Sequence, residues 1–260
     1  GLDLGVGGML VLTNVATARF MDGQSFEVTI LIAIAAVFAA VVINGLVGWI
    51  VTASKVPDIV ITLGSLYIYQ GLALAILPNP GGGTSEGFRW MFTGSNVGTG
   101  SNPWPATLMI AIPILLTAWW LGKTRSGLSL YAAGSDKTAA YLSGIRAART
   151  KIVAFGVGGA FAAMAGLSTT AIAGSGNANT VGGNMTLNSV AAIVLGGVAL
   201  TGGIGSVIAV VPAGLILFFL SPILTAMGVD PNRAQIIQGV LIVVVMMIAG
   251  LIEWRRRRRV

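Results

Sequence analysis

The sequence AAIVLGGVALTGGIGS, residues 191–206, decides how the chain folds: its glycines either hold a phosphate in a soluble protein or turn between two membrane helices. A phosphate-binding loop of the G-x-x-x-x-G-K-[ST] type needs a lysine, and none follows Gly205. The Gly-Lys-Thr sequence at residues 122–124 lacks the first glycine of that motif, because Thr117 stands in its place. The sequence therefore argues against nucleotide binding, and the rest of the chain decides what the glycines do.

The composition places most of the surface in lipid. Of 260 residues, 55% are hydrophobic and only 9% are charged, whereas soluble domains carry about 25% charged residues. The chain has no Cys and no His, which removes disulfides, the commonest metal ligands and histidine bases. We therefore expect no cofactor and no catalytic residues. The net charge of +7 includes five consecutive arginines, residues 255–259, which are typical of a cytoplasmic anchor rather than a nucleic-acid site.

Eight apolar segments predict membrane helices, which need about 20 mostly apolar residues. The first is interrupted by glycines and the sixth is short. We expect one all-α polytopic domain over residues 1–260, with a truncated N-terminus that is not a signal peptide. The segments are residues 2–19, 28–52, 60–77, 106–121, 152–173, 188–200, 207–227 and 234–252.

The basic residues predict the orientation. Residues 122–151 hold six Lys and Arg against one acid, Asp136, so this loop is expected in the cytoplasm. Alternation then places twelve of the fifteen basic residues inside, including the C-terminus. An even number of crossings must separate Lys151 from Arg255, so residues 188–200 have to cross and residues 201–206 turn at the cytoplasmic face.

The longest outer connection, residues 78–105, is expected to lack secondary structure of its own. A long loop of this kind is usually functional or mobile. It could cap a pore or meet an extracellular partner, or it could be an aromatic belt at the membrane interface. On the helix predicted for residues 152–173, small residues recur every fourth position and predict a packing ridge: Ala154, Gly158, Ala162 and Gly166.

Polar residues in and beside the apolar spans predict a solute path, because unpaired polar groups are costly in lipid. Each one alone is also compatible with an ordinary interhelical hydrogen bond. Together they are neutral amides and hydroxyls with a single carboxylate, which suits a neutral polyhydroxylated solute better than an ion. The predicted path residues are Asp3, Asn14, Asn44, Thr62, Gln70, Thr186 and Asn188.

Two segments of the cytoplasmic face are candidates for docking another protein. Residues 131–151 form a short basic amphipathic stretch, and residues 191–206 end in an uncharged glycine-rich tip. The alternative for the tip is an ordinary tight turn.

Four stretches resemble the permease subunit of bacterial ABC importers of the ribose, xylose and galactose class. They are the opening GLDLGVG, residues 56–64, residues 134–151 with Leu-Ser-Gly-Ile at 142–145, and residues 191–205. The resemblance implies the fold of a type II importer, similar to the vitamin B12 importer, with about ten helices in a full subunit and about eight here. It also implies a bacterial inner-membrane location.

The same resemblance implies the partners: a second permease subunit, cytoplasmic ABC ATPase subunits and a periplasmic or lipid-anchored solute-binding protein. The transported molecule would be a small polar solute, and the chain would be surrounded by membrane lipid. The resemblance implies no nucleic acid partner. ATP would be hydrolysed by the partner subunits, not by this chain. Family members often carry acidic residues where Met185-Thr-Leu-Asn188 stands here. This difference leaves room for a heterodimeric permease partner or for a solute other than a standard sugar, such as a nucleoside.

The resemblance also implies two sets of contact residues. ATPase coupling falls on Ala191, Gly196, Gly197, Thr201, Gly202, Gly203, Gly205 and Ser206. A second cytoplasmic contact falls on Gly134, Asp136, Ser143, Gly144 and Arg146. The leading hypothesis is thus an ATP-driven permease; the alternatives are a secondary transporter or facilitator acting without an ATPase and, more remotely, an intramembrane enzyme.

Overall fold

The computed structural model describes residues 2–54, 56–94, 102–179, 182–199 and 202–257. Within these ranges the chain forms eleven α-helices and no β-strand. The helices are α1 (Val6–Met21), α2 (Phe26–Ala53), α3 (Asp58–Ile76), α4 (Glu86–Thr93), α5 (Trp104–Lys123), α6 (Arg125–Ser135), α7 (Lys137–Leu142), α8 (Ala147–Ala173), α9 (Gly182–Leu195), α10 (Val207–Ala226) and α11 (Pro231–Arg257).

Five helices are long and apolar enough to cross a membrane: α2, α3, α5, α8 and α10. Shorter apolar helices occupy the other three predicted segments, as parts or all of α1, α9 and α11. Every predicted apolar segment therefore contains a helix. The all-helical, multi-pass architecture expected from the sequence is confirmed.

The connection at residues 78–105 differs from the prediction, because it contains helix α4. Phe88 of this helix is buried at 1% exposure, and its ring lies 5.0 Å from that of Phe92. The Arg89 Nε donates to the Ala171 carbonyl at 3.2 Å, in the last turn of α8. The expectation of a loop without secondary structure was wrong for residues 86–93, because two aromatic residues four positions apart give one face of a helix something to bury.

Backbone hydrogen bonds also fix the segment between α3 and α4. Gly81 and Gly176 each donate an N–H to the other's carbonyl, at 3.0 and 2.8 Å, and the Gly83 N–H donates to the Ala18 carbonyl at 2.9 Å. The segment after α3 is therefore tied to the ends of both α1 and α8.

The helices group into two compact units. One consists of Gly1–Leu116 and Tyr141–Thr186, and the other of Thr117–Ala140 and Leu187–Val260. In the first unit α8 packs against α1 and α2, and α1 also packs against α3; in the second, α10 packs against α11.

Glycines let the backbones of the first unit touch. A Cβ atom on Gly159 of α8 would lie 2.5 Å from the Ala40 carbonyl oxygen of α2, and one on Gly166 would lie 2.5 Å from the Leu10 carbonyl oxygen of α1. A Cβ on Gly158 would meet nothing within 4 Å. The contact ridge therefore includes the predicted Ala162 and Gly166, both buried, but uses Gly159 in place of Gly158.

Candidate functional site

Asn14 of α1 lies in a buried polar network with α8. Its Nδ2 donates to Thr170 Oγ1 at 2.9 Å and to the Ser175 carbonyl at 3.2 Å. Its Oδ1 accepts the Asn177 N–H at 3.0 Å, and Thr17 Oγ1 lies 3.0 Å from Thr170 Oγ1. Both amide hydrogens of Asn14 are thus used inside the protein. The hydrogen bonds of Asn14 therefore hold α1 against α8. This geometry matches the ordinary interhelical hydrogen bond that is the alternative to a role in the solute path.

Asn44 of α2 is paired across to α3. The Tyr69 hydroxyl donates to Asn44 Oδ1 at 2.8 Å. Asn44 Nδ2 is buried and has no hydrogen-bond partner among the described residues, and neither has Asp3 Oδ2. The other carboxylate oxygen of Asp3 accepts the Gly5 N–H at 2.8 Å. These two residues keep hydrogen-bonding capacity that no described residue uses.

The remaining predicted path residues of the first unit are Thr62 and Gln70 of α3 and Thr186 of α9. The Thr62 hydroxyl donates to the Asp58 carbonyl of its own helix at 2.9 Å. Thr186 Oγ1 accepts the Gly7 N–H at 3.1 Å and donates to the Leu4 carbonyl at 3.4 Å, so it ties α9 to the first turn of α1. Gln70 is half-buried on α3.

In the second unit, Asn188 is hydrogen-bonded to Gln238, a residue outside the predicted path set. Gln238 Nε2, on α11, donates to Asn188 Oδ1 of α9 at 3.2 Å and to the Leu217 carbonyl of α10 at 3.4 Å. The signal was available, because Gln238 is an amide inside the predicted segment 234–252.

The glycine-rich tip begins where α9 ends. The Val198 N–H donates to the Ile193 carbonyl at 3.1 Å and the Gly197 N–H to the Val194 carbonyl at 3.0 Å. Gly197 has a φ of +76°, so the helix ends in a Schellman motif, which favours glycine at this left-handed position. Helix α9 therefore ends at Leu195, five residues before the predicted boundary at residue 200. Ala191 is buried within α9, and Ser206 directly precedes α10.

The tip packs against the end of α6. A Cβ on Gly134 would lie 2.5 Å from the Gly203 nitrogen, and one on Gly203 would collide with Ser135. The Tyr131 hydroxyl donates to the Gly205 carbonyl at 3.0 Å. The structure thus brings Gly134, from the second predicted contact set, against Gly202 and Gly203 of the coupling set. Thr201 lies outside the described residues.

The second predicted contact set continues into α7. Asp136 Oδ1 accepts the N–H groups of Thr138 and Ala139, at 2.7 and 3.1 Å, and caps this helix. At its other end, Tyr141 and Leu142 are 77% and 81% exposed. Ser143 and Gly144 follow in an exposed turn, and Arg146 directly precedes α8. Helix α7 therefore presents two apolar side chains outward next to a polar turn.

The geometry so far defines a class: a multi-pass helical membrane protein with partly unsatisfied polar groups among its helices and an exposed apolar pair in a connection rich in Lys and Arg. Residues 1–246 match the family described as branched-chain amino acid transport system / permease component. The chain belongs to this family.

Curated relatives agree with that assignment. The chain is 31% identical over 255 residues to the ribose import permease protein RbsC of Escherichia coli (strain K12), covering 95% of this chain and 77% of the relative. It is 30% identical to RbsC of Bacillus subtilis (strain 168), covering 95% and 76%. It is 33% identical to the autoinducer 2 import system permease protein LsrC of Enterobacter sp. (strain 638), covering 87% and 63%. No solved structure matches the chain. The chain is thus an import permease, which favours the leading hypothesis over a facilitator acting alone.

Proposed function

We propose that this chain is the membrane-spanning permease subunit of an ATP-driven ABC importer that carries a neutral, polyhydroxylated solute of the sugar class inward. The observation that carries the proposal is the similarity to ribose import permeases across 95% of the chain. The neutral amides and hydroxyls among the helices agree with such a solute.

The proposed assembly has two permease subunits, two cytoplasmic ATPase subunits and a solute-binding protein outside, in a bacterial inner membrane. The subunit would have the type II importer fold, and its C-terminus would lie in the cytoplasm. Support comes from the names of the relatives, which are import permeases, and from the distribution of Lys and Arg along the chain.

Coupling to ATP hydrolysis would use two surfaces of the chain. The first is the tip at residues 202–206 together with the end of α6, which contact each other directly. The second is the outward pair Tyr141 and Leu142 on α7. When the ATPases close, force on the tip would reach α9 and α10, which it joins, and would bias the path between two states.

Uptake into cells tests the proposal. Cells that produce the full protein with its ATPase and binding protein should accumulate radiolabelled D-ribose, and accumulation should stop when the catalytic glutamate of the ATPase is replaced. L-leucine is the contrasting probe, because the family description refers to branched-chain amino acids. ATP-dependent leucine uptake without ribose uptake would contradict the solute class, and ribose accumulation that survives ATPase inactivation would restore the facilitator alternative.

A further inference from the structure

Gln238 occupies a position that no other described glutamine shares: it joins three helices of the second unit. Its Nε2 donates to Asn188 Oδ1 at 3.2 Å and to the Leu217 carbonyl at 3.4 Å. Around this point lies an apolar cluster that includes buried Leu217 and partly buried Leu241 and Ile242. The side-chain amides of Asn188 and Gln238 therefore lie beside an apolar cluster and are hydrogen-bonded to each other, and the amide of Gln238 is also hydrogen-bonded to the Leu217 carbonyl of that cluster.

Two groups of the pair remain unused. Both hydrogens of Gln238 Nε2 are donated, but Gln238 Oε1 and Asn188 Nδ2 have no hydrogen-bond partner among the described residues. Both side chains are half-buried, so they reach the surface of their unit. Lipid tails offer no hydrogen bonds, and an amide group left unpaired in hydrocarbon is costly. The surface that these groups reach must therefore meet something polar.

We infer that Asn188 and Gln238 form a contact point for solute hydroxyls on the transport path, and that Gln238 helps to determine specificity; this inference rests on the proposed function. A hydroxyl group both donates and accepts, so it can donate to Gln238 Oε1 and accept from Asn188 Nδ2. The pair carries no charge and offers nothing to balance the ammonium and carboxylate of an amino acid. It thus favours a neutral polyol over a zwitterion.

These 260 residues contain no cysteine, so a single cysteine introduced among them can be labelled without removing another from this part of the chain. Gln238→Cys, Asn188→Cys and the control Val240→Cys are made in the full chain within its complex in membrane vesicles. Val240 lies on the same helix and is an exposed apolar residue. The probe is the hydrophilic thiol reagent sulfonatoethyl methanethiosulfonate.

We expect labelling at positions 188 and 238 to be at least about tenfold faster than at position 240, because ionic thiol reagents need water around a thiolate. Saturating D-ribose with the binding protein should slow labelling at both positions. Labelling at position 238 that is no faster than at position 240 would overturn the inference. So would unchanged labelling in the presence of ribose by a complex that transports it.

Uptake gives a second measurement. Gln238→Leu should lower ATP-dependent D-ribose uptake about five- to tenfold, the effect of losing one hydrogen bond, while the ATPase still co-purifies with the chain. Gln235→Leu, an exposed residue of the same helix, is the matched control and should retain wild-type uptake. If wild-type protein does not import ribose, the proposed solute fails; if it does and Gln238→Leu imports equally well, this inference alone fails.

Discussion

Gly134 and Gly203 meet with no side chain between them, and this contact sets how closely α6 approaches the tip. A methyl group on Gly134 would lie 2.5 Å from the Gly203 nitrogen. Because the obstacle is backbone rather than a flexible side chain, relief requires the two segments to separate. The contact is therefore sensitive to the smallest possible substitution.

We expect Gly134→Ala to destabilise the protein by about 1–3 kcal/mol through overpacking, although alanine is the better helix former. The control is Gly122→Ala in α5, where an added Cβ meets nothing within 4 Å. Thermal unfolding in detergent measures both variants. Equal unfolding temperatures for the two would mean that α6 and the tip do not pack as described.

At the scale of single residues, the sequence identifies polar side chains within apolar segments but not the hydrogen-bond partners of those side chains. The sequence predicts Asn188 as a path residue from its type and position, and that role stays a prediction; its partner Gln238 lies 50 residues away in the chain and does not follow from either. The sequence also predicts Asn14 as a path residue, and that role stays a prediction; its side chain is hydrogen-bonded to Thr170 of α8 and to the Asn177 N–H that follows α8. A sequence shows which amides enter the membrane; it does not show which of them find partners, because that depends on helix rotation.

At the scale of elements, α8 is the central helix of the first unit, because α1, α2 and α4 all pack against it. Its glycines face two different neighbours, α2 at Gly159 and α1 at Gly166. Within a membrane no hydrophobic driving force brings helices together, so their association depends on van der Waals contact. Close approach at these glycines increases that contact.

Adjacent glycines of α8 supply a matched pair. Gly159→Ala should destabilise the first unit by about 1–3 kcal/mol, because the methyl group would lie 2.5 Å from the Ala40 carbonyl oxygen. Gly158→Ala should be neutral or slightly stabilising, since its position is open and alanine favours the helix. Unfolding temperatures that fall equally in both variants would contradict the assigned ridge.

Helix α7 tests the proposed docking surface, since its end is almost free of internal contacts. Leu142→Asp should weaken co-purification of the ATPase at least about tenfold without changing the unfolding temperature, because the side chain is 81% exposed and a charge would oppose apolar contact. Met227→Asp, at a 76% exposed position after α10, is the control and should keep the ATPase bound. Full ATPase recovery with Leu142→Asp would remove α7 from the interface.

At the scale of elements, the sequence predicts the long apolar helices well. It misplaces a helix boundary where a local glycine ends the helix, and it misses a short amphipathic helix. Helices α2 and α10 lie within two residues of their predicted segments, because an apolar run of membrane length has little alternative to a helix. Helix α9 ends early because Gly197 stops it, although the apolar run continues. Helix α4 was missed because only one of its faces is apolar.

For the whole molecule, the positive charges predict a single orientation. We expect a reporter fused after residue 257 to lie on the same side of the membrane as one inserted in the connection at residues 143–146, because both flank arginines that favour the cytoplasm. Fluorescent protein and alkaline phosphatase fusions report the two sides in opposite ways. Opposite signals from the two positions would mean that α9 does not cross.

The bond between Arg89 and the Ala171 carbonyl has a consequence for biosynthesis. Its two residues are 82 positions apart, and a ribosome adds about 5–20 residues per second. The segment that carries α4 must therefore wait roughly 4–16 s after its own synthesis before the α8 residue to which it is bonded has been made. During that interval Phe88 lacks the part of its burial site that Leu167 and Ala171 of α8 supply, so chaperones and proteases can reach this segment before its packing is complete.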